Sequence, residues 1–435
     1  MNPQTKDILK TAALFVLLIM PFKASGQDTL TVRETINRVI DTYPTVKQAE
    51  EALNSTNINL KITRSVLFPN LNASASYMFT DPQMKMSLGE QSFDLNPKNT
   101  YNTGVSLTQL LYDFGKTRPK IEAAKIQEQI AEYQIINVKQ DLALNTIQLY
   151  YTLYYTREAI KIKEQERNNY EELLRHVQVK NNVGTATKFD LLNTNVNLKN
   201  VQTQIIDLAT TDLTQQTNLS VLADTTITSQ MLLNFEASVN PLLIPLDQLM
   251  NQAMHDRPEV LIATKGVEVA KLQEKASART YNPSLNLQAG AGWKNGYPMD
   301  LEKMKFNYNI GASLSVPIYE GGRRKYERNL AKSKIITEDE NLNLILKQIQ
   351  IQVSQNYYSL QSSLAAMDNL TVQVEYAEEA FKQAKVNFEA GAITNLELTT
   401  SATNLSSAKL LLLQAKINYQ VSLYKLKMSI GEAIY

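Results

Sequence analysis

The chain contains no cysteine, only two histidines and a single tryptophan in 435 residues. Without cysteine it can have no disulfide framework, thiolate metal site or cysteine nucleophile, and no lipid carried on an N-terminal cysteine. His176 and His255 lie far apart and show no ligand spacing, so no metal site is expected. Breakers are also scarce, at 14 Gly and 13 Pro. Residues 120–183, 185–240 and 323–390 contain neither. Runs of that length predict long helices rather than a compact α/β domain. The formal net charge is +1, so no basic field points to nucleic acid. The GxSxG, GxxxxGK[ST], HExxH and CxxC patterns are absent, so neither an enzyme nor a cofactor is expected.

Long apolar runs are missing too. Thr11–Met20 is apolar over about ten residues, short of the ~20 that a spanning helix needs. Lys6 and Lys10 precede it and Ala24-Ser25-Gly26 follows. This pattern predicts a secretory signal peptide over residues 1–26, cleaved before Gln27. A mature chain that enters a membrane must therefore do so through strands.

What the sequence does contain is an internal repeat. Pro44, Val46, Pro69 and Leu71 recur as Pro258, Val260, Pro283 and Leu285, an offset of 214 residues (44 to 258). Gly104, Leu107, Tyr112 and Gly115 recur as Gly311, Leu314, Tyr319 and Gly322, an offset of 207 (104 to 311). The change of offset leaves seven extra residues in the first copy, between Leu71 and Gly104, and predicts a longer loop there. Two repeats are expected, 27–240 and 241–435, each reading helix, strand, strand, long helix, tip, helix. The predicted helices run over 32–66, 116–182 and 187–222 in the first repeat, and over 248–280, 323–389 and 394–430 in the second.

Four segments alternate with a period of two: 71–80, 102–112, 285–293 and 308–318. Leu71, Ala73, Ala75, Tyr77 and Phe79 alternate with Asn72, Ser74, Ser76 and Met78. Such ten-residue segments, apolar on one face and with aromatics at their ends, suit transmembrane barrel strands. Four strands cannot close a barrel. Two chains would give eight strands with a side-chain-filled interior, and three would give twelve, with room for a passage. The helical pattern alone favours an ordinary coiled-coil rod with no lumen, which keeps a periplasmic or surface structural protein without channel activity as the alternative.

The repeated unit, the stretches after Pro69 and Pro283, the turns LYDFGKTR and IYEGGRRK and the tips NNVGTAT and EAGAIT together resemble the TolC-like outer-membrane efflux proteins. The resemblance covers nearly all of the mature chain. It implies a mainly α fold with transmembrane β: a long α-helical coiled-coil barrel plus four strands per chain of a shared twelve-stranded β-barrel. It further implies a homotrimer in the outer membrane with a long periplasmic portion, in contact with outer-membrane lipid. The expected function is the exit channel of a tripartite efflux or type I secretion system. The expected partners are a periplasmic adaptor and an inner-membrane transporter. Residues 222–250 are expected to form a girdle, to which the chain end at Tyr435 adds little.

The tips carry the candidate site. Gly184 and Gly391 mark the same turn, 207 residues apart. The resemblance makes Val183, Gly184, Thr185, Thr187, Gly391, Ala392 and Thr394 the adaptor-docking surface. It makes Glu397, with Asp190 at the matching offset, the tunnel constriction. Thr400, Asn193 and Ile393 stand where further charged residues of the family pattern would be. A competing role is written into the same residues: Thr394-x-x-Glu397 is a capping box and Thr187-x-x-Asp190 a near version of one.

Overall fold

The computed structural model describes residues 29–235 and 244–435. The expected signal peptide and residues 236–243 of the expected girdle lie outside the described residues.

Helices dominate. β1 (Thr29–Leu30), α1 (Val32–Thr42) and α2 (Pro44–Ser65) lead to β2 (Asn70–Phe79). A small hairpin of β3 (Lys85–Leu88) and β4 (Gln91–Asp94) precedes β5 (Asn99–Tyr112). Then come α3 (Thr117–Asn182), α4 (Lys188–Leu222) and β6 (Leu232–Leu233). The second half holds α5 (Leu246–Asp256), α6 (Pro258–Arg279), β7 (Ser284–Lys294), β8 (Lys305–Ser315), α7 (Arg323–Glu389) and α8 (Asn395–Ser429). α3 and α7 have 66 and 67 residues, and at 1.5 Å per residue each is roughly 100 Å long.

Three expectations are corrected. The helices expected over 32–66 and 248–280 are each two helices. Tyr43 (φ −72°, ψ 132°) and Arg257 (φ −68°, ψ 129°) are extended, and the prolines after them open α2 and α6. A proline ring disfavours helical geometry in the residue before it, while its missing N–H costs nothing in a first turn. The strand expected over 308–318 runs instead over Lys305–Ser315. Pro317, with no N–H to give a ladder, falls outside it. The longer loop of the first half is not a plain loop but carries the β3–β4 hairpin.

Contacts divide the chain into two compact units, and each draws on both halves of the sequence. Of the described residues, one comprises 29–42, 145–235 and 364–421. Its core joins Tyr170, Leu173 and Val177 of α3 to Leu198 and Val201 of α4, Phe388 of α7 and Leu398 of α8. Polar residues tie its irregular segment in place. β1 and β6 pair in parallel, and the Tyr150 hydroxyl lies 2.7 Å from the Leu30 carbonyl and accepts from the Asn234 N–H at 2.9 Å. Arg157 pairs with Asp212 at 3.1 Å and donates to the carbonyls of Met231 and Thr228.

The other unit comprises residues 43–144, 244–363 and 422–435. Ala123 and Ile130 of α3 pack on Val269 and Leu272 of α6. Buried Arg257 forks onto both oxygens of Glu259 and reaches Gln352 at 2.6 Å. The unit also holds an antiparallel four-stranded sheet in the order β2-β5-β7-β8. Its register lines up Leu71, Leu107, Ala289 and Ile310 across the strands. The next rows are Ala73, Val105, Ala291 and Tyr308, then Ala75, Thr103, Trp293 and Phe306. On the other face Asn72, Ser106, Gly290 and Asn309 form one row, and Ser74, Gly104, Gly292 and Asn307 another. A register shift between Leu110 and Tyr112 sets Tyr112 opposite Leu285, so strict alternation along β5 ends at that irregularity.

Candidate functional site

The two tips are built alike. Gly184 (φ +77°) and Gly391 (φ +73°) lie in the left-handed region, where a side chain is strained. The Gly184 N–H donates to the Asn181 carbonyl at 3.0 Å and the Thr185 N–H to Lys180 at 2.8 Å. In the second tip the Gly391 N–H donates to Phe388 at 3.1 Å and the Ala392 N–H to Asn387 at 2.8 Å. These paired bonds satisfy the free carbonyls at the ends of α3 and α7 and reverse the chain.

Each return helix then starts on a capping box. The Asp190 N–H donates to the Thr187 hydroxyl at 3.1 Å, and Asp190 Oδ2 accepts from the Thr187 N–H at 3.0 Å. The Glu397 N–H donates to the Thr394 hydroxyl at 3.2 Å, and Glu397 Oε2 accepts from the Thr394 N–H at 2.7 Å. The first box is therefore complete, not a near version. The hydrogen bonds from the Thr394 backbone and hydroxyl hold the Glu397 carboxyl below the usual carboxylate range. Glu397 is exposed, and its Oε1 makes no hydrogen bond among the described residues. Val183, Gly184, Thr185, Thr187, Gly391, Ala392 and Thr394 are all exposed as well.

Residues that sequence patterns did not flag bind one hairpin to the other. Lys180 Nζ donates to the Phe388 carbonyl at 3.1 Å and sits 4.2 Å above that residue's ring. Buried Asn395 donates to the Thr194 hydroxyl at 3.0 Å and to the Asp190 carbonyl at 3.4 Å. The start of α8 is thereby held against the start of α4, bringing Asp190 and the Thr394–Glu397 cap to one place. Lys385 reaches both oxygens of Glu172 at 3.0 Å, and the Tyr170 and Thr403 hydroxyls meet at 3.0 Å. The only signal for these residues is their nearness to the tips, since amides, lysines and hydroxyls recur all along these helices. Among the described residues no group of three or more His, Asp and Glu side chains could hold a metal ion.

The sheet is the other surface that calls for a function. Its apolar face is uncovered: Leu71 is 66%, Tyr308 77% and Ile310 73% exposed. Among the described residues no helix is long and apolar enough to cross a membrane. Comparison with known proteins decides between a soluble and a membrane reading. The model of the family described as "Outer membrane efflux protein" matches residues 35–223 and 249–432.

The chain belongs to that outer membrane efflux protein family. Outer membrane protein TolC of Escherichia coli strain K12 is 22% identical over 390 residues, which are 85% of this chain and 75% of TolC. Among solved structures, CusC aligns with a TM-score of 0.79 at 17% identity, over 92% of each chain. The outer membrane protein VceC of Vibrio cholerae aligns with a TM-score of 0.76 at 16% identity, over 93% of this chain and 97% of VceC. Membership places the chain in the outer membrane with its helical portion in the periplasm. It makes the chain an efflux channel.

Proposed function

We propose that three copies of the chain form the exit duct of a tripartite efflux or type I secretion system, passing cargo passively to the exterior. The observation that carries this is the sheet: one apolar face, one polar face, and two edge strands, β2 and β8, whose outer edges have no strand partner among the described residues. An unpaired backbone group in hydrocarbon costs several kcal/mol, so both edges must find strands. β2 and β8 lie at opposite edges of an antiparallel sheet, so β8 of one copy can pair with β2 of the next and preserve the alternation. Three copies give twelve strands, wide enough for a passage, whereas eight would be filled by side chains. In this reading each chain is two helix-strand-strand-helix repeats, 27–240 and 241–435, and the long helices continue the barrel as a tunnel. The matched lengths of α2 and α6 (22 residues each), of α3 and α7, and of α4 and α8 (35 each) support the duplication.

A periplasmic adaptor docks on the tips, and an inner-membrane transporter supplies the energy and selects the cargo. Support for docking is the exposure of Val183, Gly184, Thr185 and Thr187, and of Gly391, Ala392 and Thr394. Photo-crosslinkers placed at Val183 and Ala392 in cells should capture one adaptor, while the same group at exposed Ile206 in mid-helix should not. Equal capture from all three positions would contradict tip docking. Glu397, with Asp190 beside it, forms the constriction as a ring of carboxylates. The cap and the ring are compatible, because the cap occupies Oε2 and leaves Oε1 open to the solvent. The protein carries out transport and no bond chemistry.

A further inference from the structure

The junction between β8 and α7 combines features that neither the duct nor the tips explain. Between Val316 and Lys334 stand six basic residues, Arg323, Arg324, Lys325, Arg328, Lys332 and Lys334, against two acids, Glu320 and Glu327. All of the basic residues but Lys334 line an open groove of about 480 Å³ that also includes Glu320, Tyr281 and Tyr319. Two of the cations are already used. Arg323 pairs with Glu327 at 2.7 Å and Arg328 with Glu274 at 2.9 Å, and Tyr281 donates to Glu327 at 3.1 Å. Arg324, Lys325 and Lys332 also line the groove, are exposed, and have no side-chain ion pair or hydrogen bond among the described residues. Beside them Ile318 is 95%, Tyr319 85% and Tyr326 68% exposed.

Seven residues, 316–322, separate the strand from the first of these cations. β8 ends at Ser315 and α7 starts at Arg323. The apolar face of the sheet thus gives way to exposed aromatics and then to unpaired cations. That order matches the cross-section of a membrane surface: hydrocarbon, then the interface that tyrosine prefers, then the headgroup phosphates. The helical portion is periplasmic, so the surface in question is the periplasmic leaflet.

We infer that the groove at the start of α7 binds the phosphate of an anionic phospholipid, held by Arg324, Lys325 and Lys332 with Tyr319 and Tyr326 against its acyl region. The inference rests on the sheet lying in the outer membrane. Its occupant is a lipid rather than a free anion because the cations border an exposed aromatic and apolar surface continuous with the lipid-facing strands.

The test uses the full chain in detergent, delipidated and then exposed to phosphatidylglycerol or phosphatidylcholine, with bound lipids counted by native mass spectrometry. The wild type should retain phosphatidylglycerol at least tenfold more strongly. Arg324→Gln, Lys325→Gln and Lys332→Gln should each reduce that preference about fivefold, the equivalent of ~1 kcal/mol per basic residue at an anionic surface. Lys120→Gln, outside the groove, should leave most of it. An unchanged preference in all three single variants, or none in the wild type, would overturn the site. Displacement of the lipid by inorganic phosphate at equal concentration would overturn the lipid as its ligand. Conductance of the same preparations in planar bilayers separates the two readings. Conductance without lipid preference removes only the lipid site, whereas absence of conductance removes the channel.

Discussion

In the proposed function Glu397 has two tasks on one side chain, the cap and the ring. Its Oε2 accepts from the Thr394 N–H and hydroxyl, which lowers its proton affinity. The sign follows from that. A carboxyl whose folded pKa lies below its unfolded value stabilises the fold above the unfolded pKa, and loses that contribution as pH falls through the folded one. The cap is therefore intact at neutral pH and weakens only below the ordinary carboxylate value of 4.5. The ring charge follows the same titration. Single-channel recordings should show cation selectivity constant from pH 7 to 5, and Glu397→Gln should reduce it severalfold at both values. Selectivity and conductance unchanged in the variant would leave Glu397 as a cap alone. The spacing Thr-x-x-Glu and the glycines made this local geometry readable from sequence. Lys180, Asn395 and Tyr170 were not readable, because their partners lie about 200 residues away (Lys180 to Phe388, 208; Asn395 to Thr194, 201) and nothing periodic marks them.

Element by element, the long helices and their ends followed from the absence of breakers, and Gly184 and Gly391 sit where the turns reverse. The proline breaks at Tyr43 and Arg257 were present in the sequence but were outweighed by the helical character on either side. Strand pairing depends on close approach that sequence alone does not reveal. Gly104 and Gly292 face each other across β5 and β7, the pair that joins the two halves. A Cβ on Gly292 would lie 2.1 Å from the Thr103 carbonyl oxygen and 2.7 Å from the Gly104 Cα. Backbone cannot swing aside as a side chain can, so Gly292→Val should separate these strands. Assembled protein recovered from membranes should fall at least tenfold, whereas Gly311→Ala, with open space around it, should assemble normally. In the helical unit, Arg157 and Asp212 are 14% and 11% exposed, and Arg157 also holds two carbonyls of the 225–235 segment. Removing one partner of a buried pair strands the other, at a cost of about 3 kcal/mol. Arg157→Leu should therefore lower the denaturation midpoint and open the 225–235 segment to protease. Unchanged cleavage there would show that the segment is anchored without Arg157, by β1, Tyr150 and the bonds of Arg38, Gln216 and Ser220 to Thr225 and Ile227.

At the scale of the whole molecule, the account depends on copies of the chain completing one another. Among the described residues nothing pairs the outer edges of β2 and β8, and nothing covers the apolar rows from Leu71 to Ile310. The four alternating segments made a four-stranded sheet with one apolar face legible. Their order across the sheet, with β5 against β7, depends on contacts between the two halves that local alternation does not encode. The measurement that tests the central claim most directly joins the edges covalently. Cysteines introduced at exposed Ala75 on β2 and exposed Ile310 on β8, which share the apolar face of the sheet in this cysteine-free chain, and oxidised in the membrane, should give an SDS-resistant ladder ending at three chains. Bilayers receiving that species should conduct. A ladder ending at two chains, or a trimer without conductance, would contradict the account.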